Sequence, residues 1–199
     1  MSTSETTSTP TRVIDGTELP LPGTWVIDPG HAQVGFLGRH LMFTKVRGRF
    51  RDVAGSIQVA EDPNQTAVDV TIDMASVESG NPTRDDHLRS GELFDVERFP
   101  RAEFHGRARN WQGRTGQLVG DLTVKGITRP VVLEADYLGL ASDPWGGNRI
   151  IFTASATINR EDWGVDWNMA LDAGGLLVSK EIHIELELEA VHQTETTTP

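Results

Sequence analysis

The stretch Glu181-Ile182-His183-Ile184-Glu185-Leu186-Glu187-Leu188-Glu189-Ala190 decides the fold. Every even position is aliphatic, and every odd position is an acid or a histidine. Side chains alternate between the two faces of a strand, whereas a helix would spread this pattern around its axis. The stretch is therefore a strand with one dry face and one wet face.

Upstream segments repeat the pattern. Ile150, Phe152, Ala154, Ala156 and Ile158 form one apolar face, and Val131, Leu133, Ala135 and Tyr137 another. Leu118, Leu122 and Val124 precede them, after the turn Gln112–Gly116, and Ala102, Phe104 and Ala108 share a face before that. Val68, Val70, Ile72 and Met74 alternate cleanly. Between Val46 and Val59 the phase breaks. Phe50 is even while Val53, Ile57 and Val59 are odd, so a bulge near Arg51-Asp52 is expected. Trp25–Asp28 reads as a short first strand stopped by Pro29-Gly30, and Ala32, Val34 and Phe36 as the inner face of the next.

Eight or nine strands with short connections and no βαβ rhythm predict an antiparallel all-β fold. A closed barrel is the first choice and a sandwich the second. The small inward residues Ala32, Ala102, Ala108, Ala135, Ala154 and Ala156 would leave a wide barrel partly hollow. One stretch breaks the alternation. Asn81-Pro82-Thr83 opens a turn, Thr83 is the expected N-cap, and Gly91 the expected stop. A short helix carrying His87, Leu88 and Arg89 is expected to lie over the barrel mouth.

The chain has 199 residues, which suits one domain, with a disordered arm over 1–22, a barrel over 23–192 and a tail over 193–199. The formal charge is −11, and no basic patch for nucleic acid is evident. No cysteine is present, so disulfides and thiolate chemistry are excluded. The Ser/Thr-rich start lacks the features of a secretory signal, and no apolar run would insert stably in a membrane, so a cytoplasmic protein is expected. The strand 181–190, if exposed at an edge, would allow a homodimer.

None of the six histidines forms an HExxH pair, and no G-x-S-x-G, GxGxxG or P-loop is present. His31, His40 and His87 could meet at a rim as a metal or catalytic site. Their alternative role is to satisfy loop carbonyls and cap the barrel. Arg84, His87 and Arg89 could hold a polar or anionic head group. Alternatively, Arg84 pairs with Asp85 or Asp86 and only fixes the helix. An apolar interior with a few polar groups at its opening is the default ligand site.

Several segments resemble the YceI-like family, also called polyisoprenoid-binding, lipocalin-like proteins. They are Trp25–Phe36, Arg39–Met42, Val46–Phe50, Arg84–Leu88, Phe94–Phe104, Gly120–Val131 and Ile158–Gly164, in order. The resemblance implies an extended eight-stranded antiparallel barrel around a long apolar cavity. It also implies a binding protein, not an enzyme, with no cofactor. The implied ligand is a long-chain isoprenoid or similar amphiphile such as a prenyl phosphate, quinone or fatty amide. A stress-linked module without a single native ligand is a variant of that reading. The expected ligand-contacting residues are His31, Val34, Phe36, His40, Arg84, His87, Leu88, Phe94, Phe104 and Phe152. His31-Ala32-Gln33 stands where many members read His-Ser, and Leu93-Phe94 where many read two aromatics.

Overall fold

The computed structural model describes residues 10–41, 43–142, 148–170 and 176–193. Its strands are β1 (Thr11–Ile14), β2 (Thr17–Pro20), β3 (Gly23–His40), β4 (Thr44–Phe50), β5 (Val53–Val59), β6 (Ala67–Asp73), β7 (Val77–Glu78), β8 (Arg101–Gln112), β9 (Thr115–Val124), β10 (Ile127–Ser142), β11 (Asn148–Asn159) and β12 (Glu181–His192). One α-helix, α1, spans Pro82–Arg89. Short 3₁₀ turns follow β5, β6 and β11.

The large sheet closes on itself, because β12 pairs antiparallel with both β11 and β3. β4 lies along the C-terminal half of β3 and β5 along its N-terminal half, so the two act as one interrupted strand. Counted that way, eight strand positions form an antiparallel barrel. The interruption falls at Arg51-Asp52, whose two N–H groups both donate to Ser76 Oγ at 3.1 Å. The pause changes the phase, so that even Phe50 and odd Val53 both point inward and are buried. Closure also corrects the expectation of an exposed edge at 181–190. Both edges of β12 are used, so it offers no ladder to a second copy.

Pro29-Gly30 does not stop the first strand. Instead β3 runs through it as a wide bulge. Ala32 pairs with Leu188 and Ile27 with Ala190, so five steps along β3 match two along β12. The three surplus residues are an odd number, which flips the strand's phase. Trp25 and Ile27 therefore share the interior with Ala32 and Val34, and all four are buried.

The arm expected to be disordered is partly ordered. Within it, β1 and β2 form a hairpin around Asp15-Gly16, both with positive φ. Leu19 and Pro20 are buried against the core. Composition misled here, since Ser and Thr dominate the segment while one Leu-Pro pair docks it. Residues 1–9 and 194–199 lie outside the described residues. The hairpin closes one end of the barrel. Trp25 is fully buried there, its indole N–H donates to Leu21 O at 3.1 Å, and its ring packs on His192 at 4.7 Å.

At the other end, α1 is capped by Asn81, not Thr83; Asn81 Oδ1 accepts from Arg84 N at 3.0 Å. Pro82 occupies the first helical turn, where its missing N–H costs nothing. Ser90, not Gly91, is the C-cap. No helix among the described residues is long and apolar enough to cross a membrane.

Trp25→Ala removes the largest side chain sealing the closed end. We expect it to cost about 3–5 kcal/mol in urea unfolding followed by far-UV circular dichroism. A cost below about 1 kcal/mol would show that the hairpin end contributes little to the barrel.

Candidate ligand cavity

The inward faces do not meet across the barrel. They leave a cavity of about 610 Å³, inside the roughly 300–1,000 Å³ range of small-molecule sites. The residues that make it hollow are small: Ala102, Ala108, Ala135, Ala154 and Ala156 all line it. Its wall is otherwise mostly aliphatic and aromatic, with a few polar side chains including Arg12, His40, Arg84, His87 and Arg160. The cavity runs from the β1–β2 hairpin, where Leu19 and Pro20 close it, to α1 and residues 160–167 and 177–178.

The α1 end is the less sealed one. His40, Arg84, His87, Leu88 and Phe94 are only half-buried there. Leu41, Phe43 and Met169 stand exposed beside this end at 42%, 84% and 56%. They are tied to the rim by Leu41 N–H to Leu177 O at 2.8 Å and Leu177 N–H to Met169 O at 2.9 Å.

The helix is stapled down by its arginines. Arg89 donates from Nε to Ala75 O at 2.9 Å and from Nη2 to Val77 O at 2.6 Å. Arg84 donates from Nε to Ser79 Oγ and from Nη2 to Ser79 O, both at 2.7 Å. Buried Asp85 accepts from the N–H of Ser79 at 2.8 Å and from its hydroxyl. Arg84 thus meets Asp85 through a shared serine, not in a direct ion pair. Its fork is occupied by Ser79 while its stem lines the cavity. His87 is held by Glu92 at 2.8 Å and sits edge-on to Trp167 at 4.5 Å.

Nine of the ten expected contact residues line the cavity: Val34, Phe36, His40, Arg84, His87, Leu88, Phe94, Phe104 and Phe152. His31 does not. It lies on the outer face in the β3 bulge, its side chain 58% exposed. The bulge that turns Ala32 inward turns His31 outward. The proposed His31/His40/His87 rim is therefore not assembled. Among the described residues, no group of three His, Asp or Glu side chains is arranged to hold a metal ion.

His31 instead belongs to an outer cluster. Asp28 accepts from Gly30 N–H at 2.9 Å, meets His31 Nδ1 at 3.0 Å and is bonded by Arg149. Burial opposes its ionisation, but the Gly30 N–H, His31 and Arg149 outweigh it and hold the carboxyl below its ordinary value. A second hollow of about 680 Å³ lies beside this bulge, lined mainly by outward polar residues including Gln33, Arg49 and Glu187.

Three cavity residues escaped the sequence reading of sites: Tyr137, Arg160 and Arg12. Each lines the cavity and carries a buried polar atom without a partner among the described residues: Tyr137 Oη, Arg160 Nη2 and Arg12 Nε. Burial pushes the Tyr137 phenol up to about 12, with nearby Arg114 opposing. Arg160 had a readable signal, because it continues the even-numbered inner face of Ala154, Ala156 and Ile158. Arg12 lay in the segment read as disordered.

A closed antiparallel barrel with an axial apolar cavity, sealed at one end and helix-flanked at the other, defines a lipocalin-like barrel. Comparison with known proteins agrees. A family described as the YceI-like domain matches residues 25–190. A UPF0312 protein of Photorhabdus laumondii is 37% identical over 176 residues, covering 87% of this chain and 88% of that one. The crystal structure of Burkholderia cenocepacia BcnA superposes with a TM-score of 0.71 at 20% identity, covering 82% of this chain and 98% of BcnA. A polyisoprenoid binding domain from Saccharophagus degradans, implicated in plant cell wall breakdown, superposes at 0.66 with 14% identity, covering 85% and 98%. The chain belongs to the YceI-like family.

The Asp28 cluster sets a pH dependence. A carboxyl whose folded pKa is lowered stabilises the fold above its ordinary value of 3.8, and that contribution is lost as pH falls through the lower folded value. Asp28→Asn should therefore be less stable than wild type at neutral pH, with the gap closing as the pH falls below the ordinary value of 3.8. Urea midpoints measured across that range check it, and parallel curves would contradict it.

Proposed function

We propose that the protein binds and carries a long-chain isoprenoid or a similar amphiphile, with the chain inside the barrel. The observation that carries this reading is the axial cavity itself, about 610 Å³ with an almost wholly apolar wall. Burying each methylene of a chain there gains about 0.8 kcal/mol relative to water. A chain long enough to fill the axis therefore binds well without any chemistry being done on it.

Membership of the YceI-like family and the likeness to a polyisoprenoid binding domain support the same reading. We read the protein as a binder and not an enzyme. Among the described residues, the cavity wall carries no carboxylate pair, an arrangement that acid/base catalysis commonly uses. Prenyl phosphates, quinones and fatty amides all have the required chain and small head.

Mass spectrometry of organic extracts from natively purified protein should return a long-chain amphiphile near one equivalent. Protein that extracts empty and also fails to bind all three ligand types in solution would contradict the proposal. Ala156→Trp, which fills the cavity from the wall, should weaken binding of a twenty-carbon prenyl alcohol by about tenfold or more. The circular dichroism spectrum should stay that of a β-barrel. Unchanged affinity in that variant would place the chain elsewhere.

A further inference from the structure

The cavity lining has a one-sided charge. Among the described residues it includes Arg12, Arg39, Arg84, Arg160, His40 and His87, and no Asp or Glu. The whole chain has 29 acids against 18 lysines and arginines. Among the described residues of an acidic protein, the lining thus includes four arginines and no carboxylate.

These guanidinium groups are not equivalent. Arg12, near the closed end, is paired with Glu61 at 2.6 Å. Arg84 is engaged by Ser79. Arg160 is 7% exposed and has no ion pair among the described residues. Its Nε donates to Ser179 O at 3.0 Å and its Nη1 to Val165 O, while Nη2 has no partner among the described residues. Its neighbour Glu161 is taken by Lys180 at 2.8 Å.

A guanidinium offers five donors, and two backbone carbonyls use only two of them. Holding Val165 and Ser179 explains those two; Glu161 and Asp166 act on the charge through space, but no carboxylate among the described residues is hydrogen-bonded to it. Burying a cation without a counter-charge costs several kcal/mol, and an anion supplied from outside offsets that cost. Arginine also stays protonated even where burial lowers its pKa, as it does here.

We propose that Arg160 is the head-group receptor of the cavity, and that the preferred ligand is an amphiphile with an anionic oxygen head, phosphate or carboxylate. This rests on the carrier reading above and adds the head-group chemistry to it. The head lies at the α1 end, where Arg39 adds a second cation and His40 a further polar group. The chain runs from there towards Tyr137, whose buried hydroxyl marks the deep end.

Three probes with one chain test this: geranylgeraniol, geranylgeranyl monophosphate and geranylgeranoic acid, titrated by tryptophan fluorescence into wild type, Arg160→Met and Arg160→Lys. Wild type should bind the phosphate, the acid or both about tenfold or more tighter than the alcohol, the size of a hydrogen bond to a charged group. Which anion gains identifies the head. Arg160→Met should lose that preference while keeping its affinity for the alcohol. Arg160→Lys, which keeps the charge without the fork, should retain part of it. Equal affinity for all three probes in wild type overturns the inference but leaves the carrier reading standing. So does a full preference surviving in Arg160→Met. Failure of wild type to bind any of the three probes overturns both. Should Arg160→Met fail to fold, the wild-type ranking and Arg160→Lys decide: a lysine variant with the full wild-type preference would contradict a fork-specific receptor.

Discussion

The pairing of β12 with β3 is the constraint on which the rest depends. It converts a curled sheet into a barrel and leaves neither strand with a free edge. The aliphatic face of β12 must then meet the aliphatic face of β3 along the whole seam. The two faces of β3 are out of phase on either side of Pro29-Gly30, and only an odd number of inserted residues brings both inward. The bulge at 28–31 supplies that number, and the Asp28–His31–Arg149 cluster fixes its shape on the outside.

Closure creates a hollow interior because the inner face is uneven in size. Large residues crowd the hairpin end, where Trp25, Ile27, Tyr137 and Ile150 are almost fully buried. The alanines of β8, β10 and β11 leave the middle open. The barrel is thus stabilised at one end by packing and at the other by hydrogen bonds, through Arg84 and Arg89 on α1 and Arg160 on the segment after β11. At the α1 end arginine forks hold backbone carbonyls, Arg89 those of Ala75 and Val77 and Arg160 those of Ser179 and Val165.

Much of the fold was legible in the sequence, for a physical reason. Strand alternation is a local property, and β6, β8, β10, β11 and β12 each carry it over most of their length. Where a single residue broke the pattern, the consequences were harder to read. Pro29-Gly30 read as a stop because the donor lost at proline is local, while the rescue of β3 by its pairing partner β12 is not. The β1–β2 hairpin was missed because Ser and Thr outweigh the Leu19-Pro20 contact in composition. His31 was placed at the rim because strand-end residues look alike until the bulge assigns them a face. Most apolar site residues were found because inwardness follows from parity. Arg160 was passed over because a charged residue is expected outside, although its parity placed it inside.

The central claim is that a ligand chain lies along the axis within the alanine-lined middle of the barrel. The most direct measurement uses methyl-labelled protein and a prenyl or fatty chain carrying a spin label near its tail, observed by NMR line broadening. The account predicts strong broadening of the inward methyls of Ala102, Ala135, Ala154 and Ile184. The outward methyls of Val119, Val132 and Leu138 should stay sharp. Broadening confined to Leu41, Met169 and the rim, or spread over the outward methyls, would contradict it.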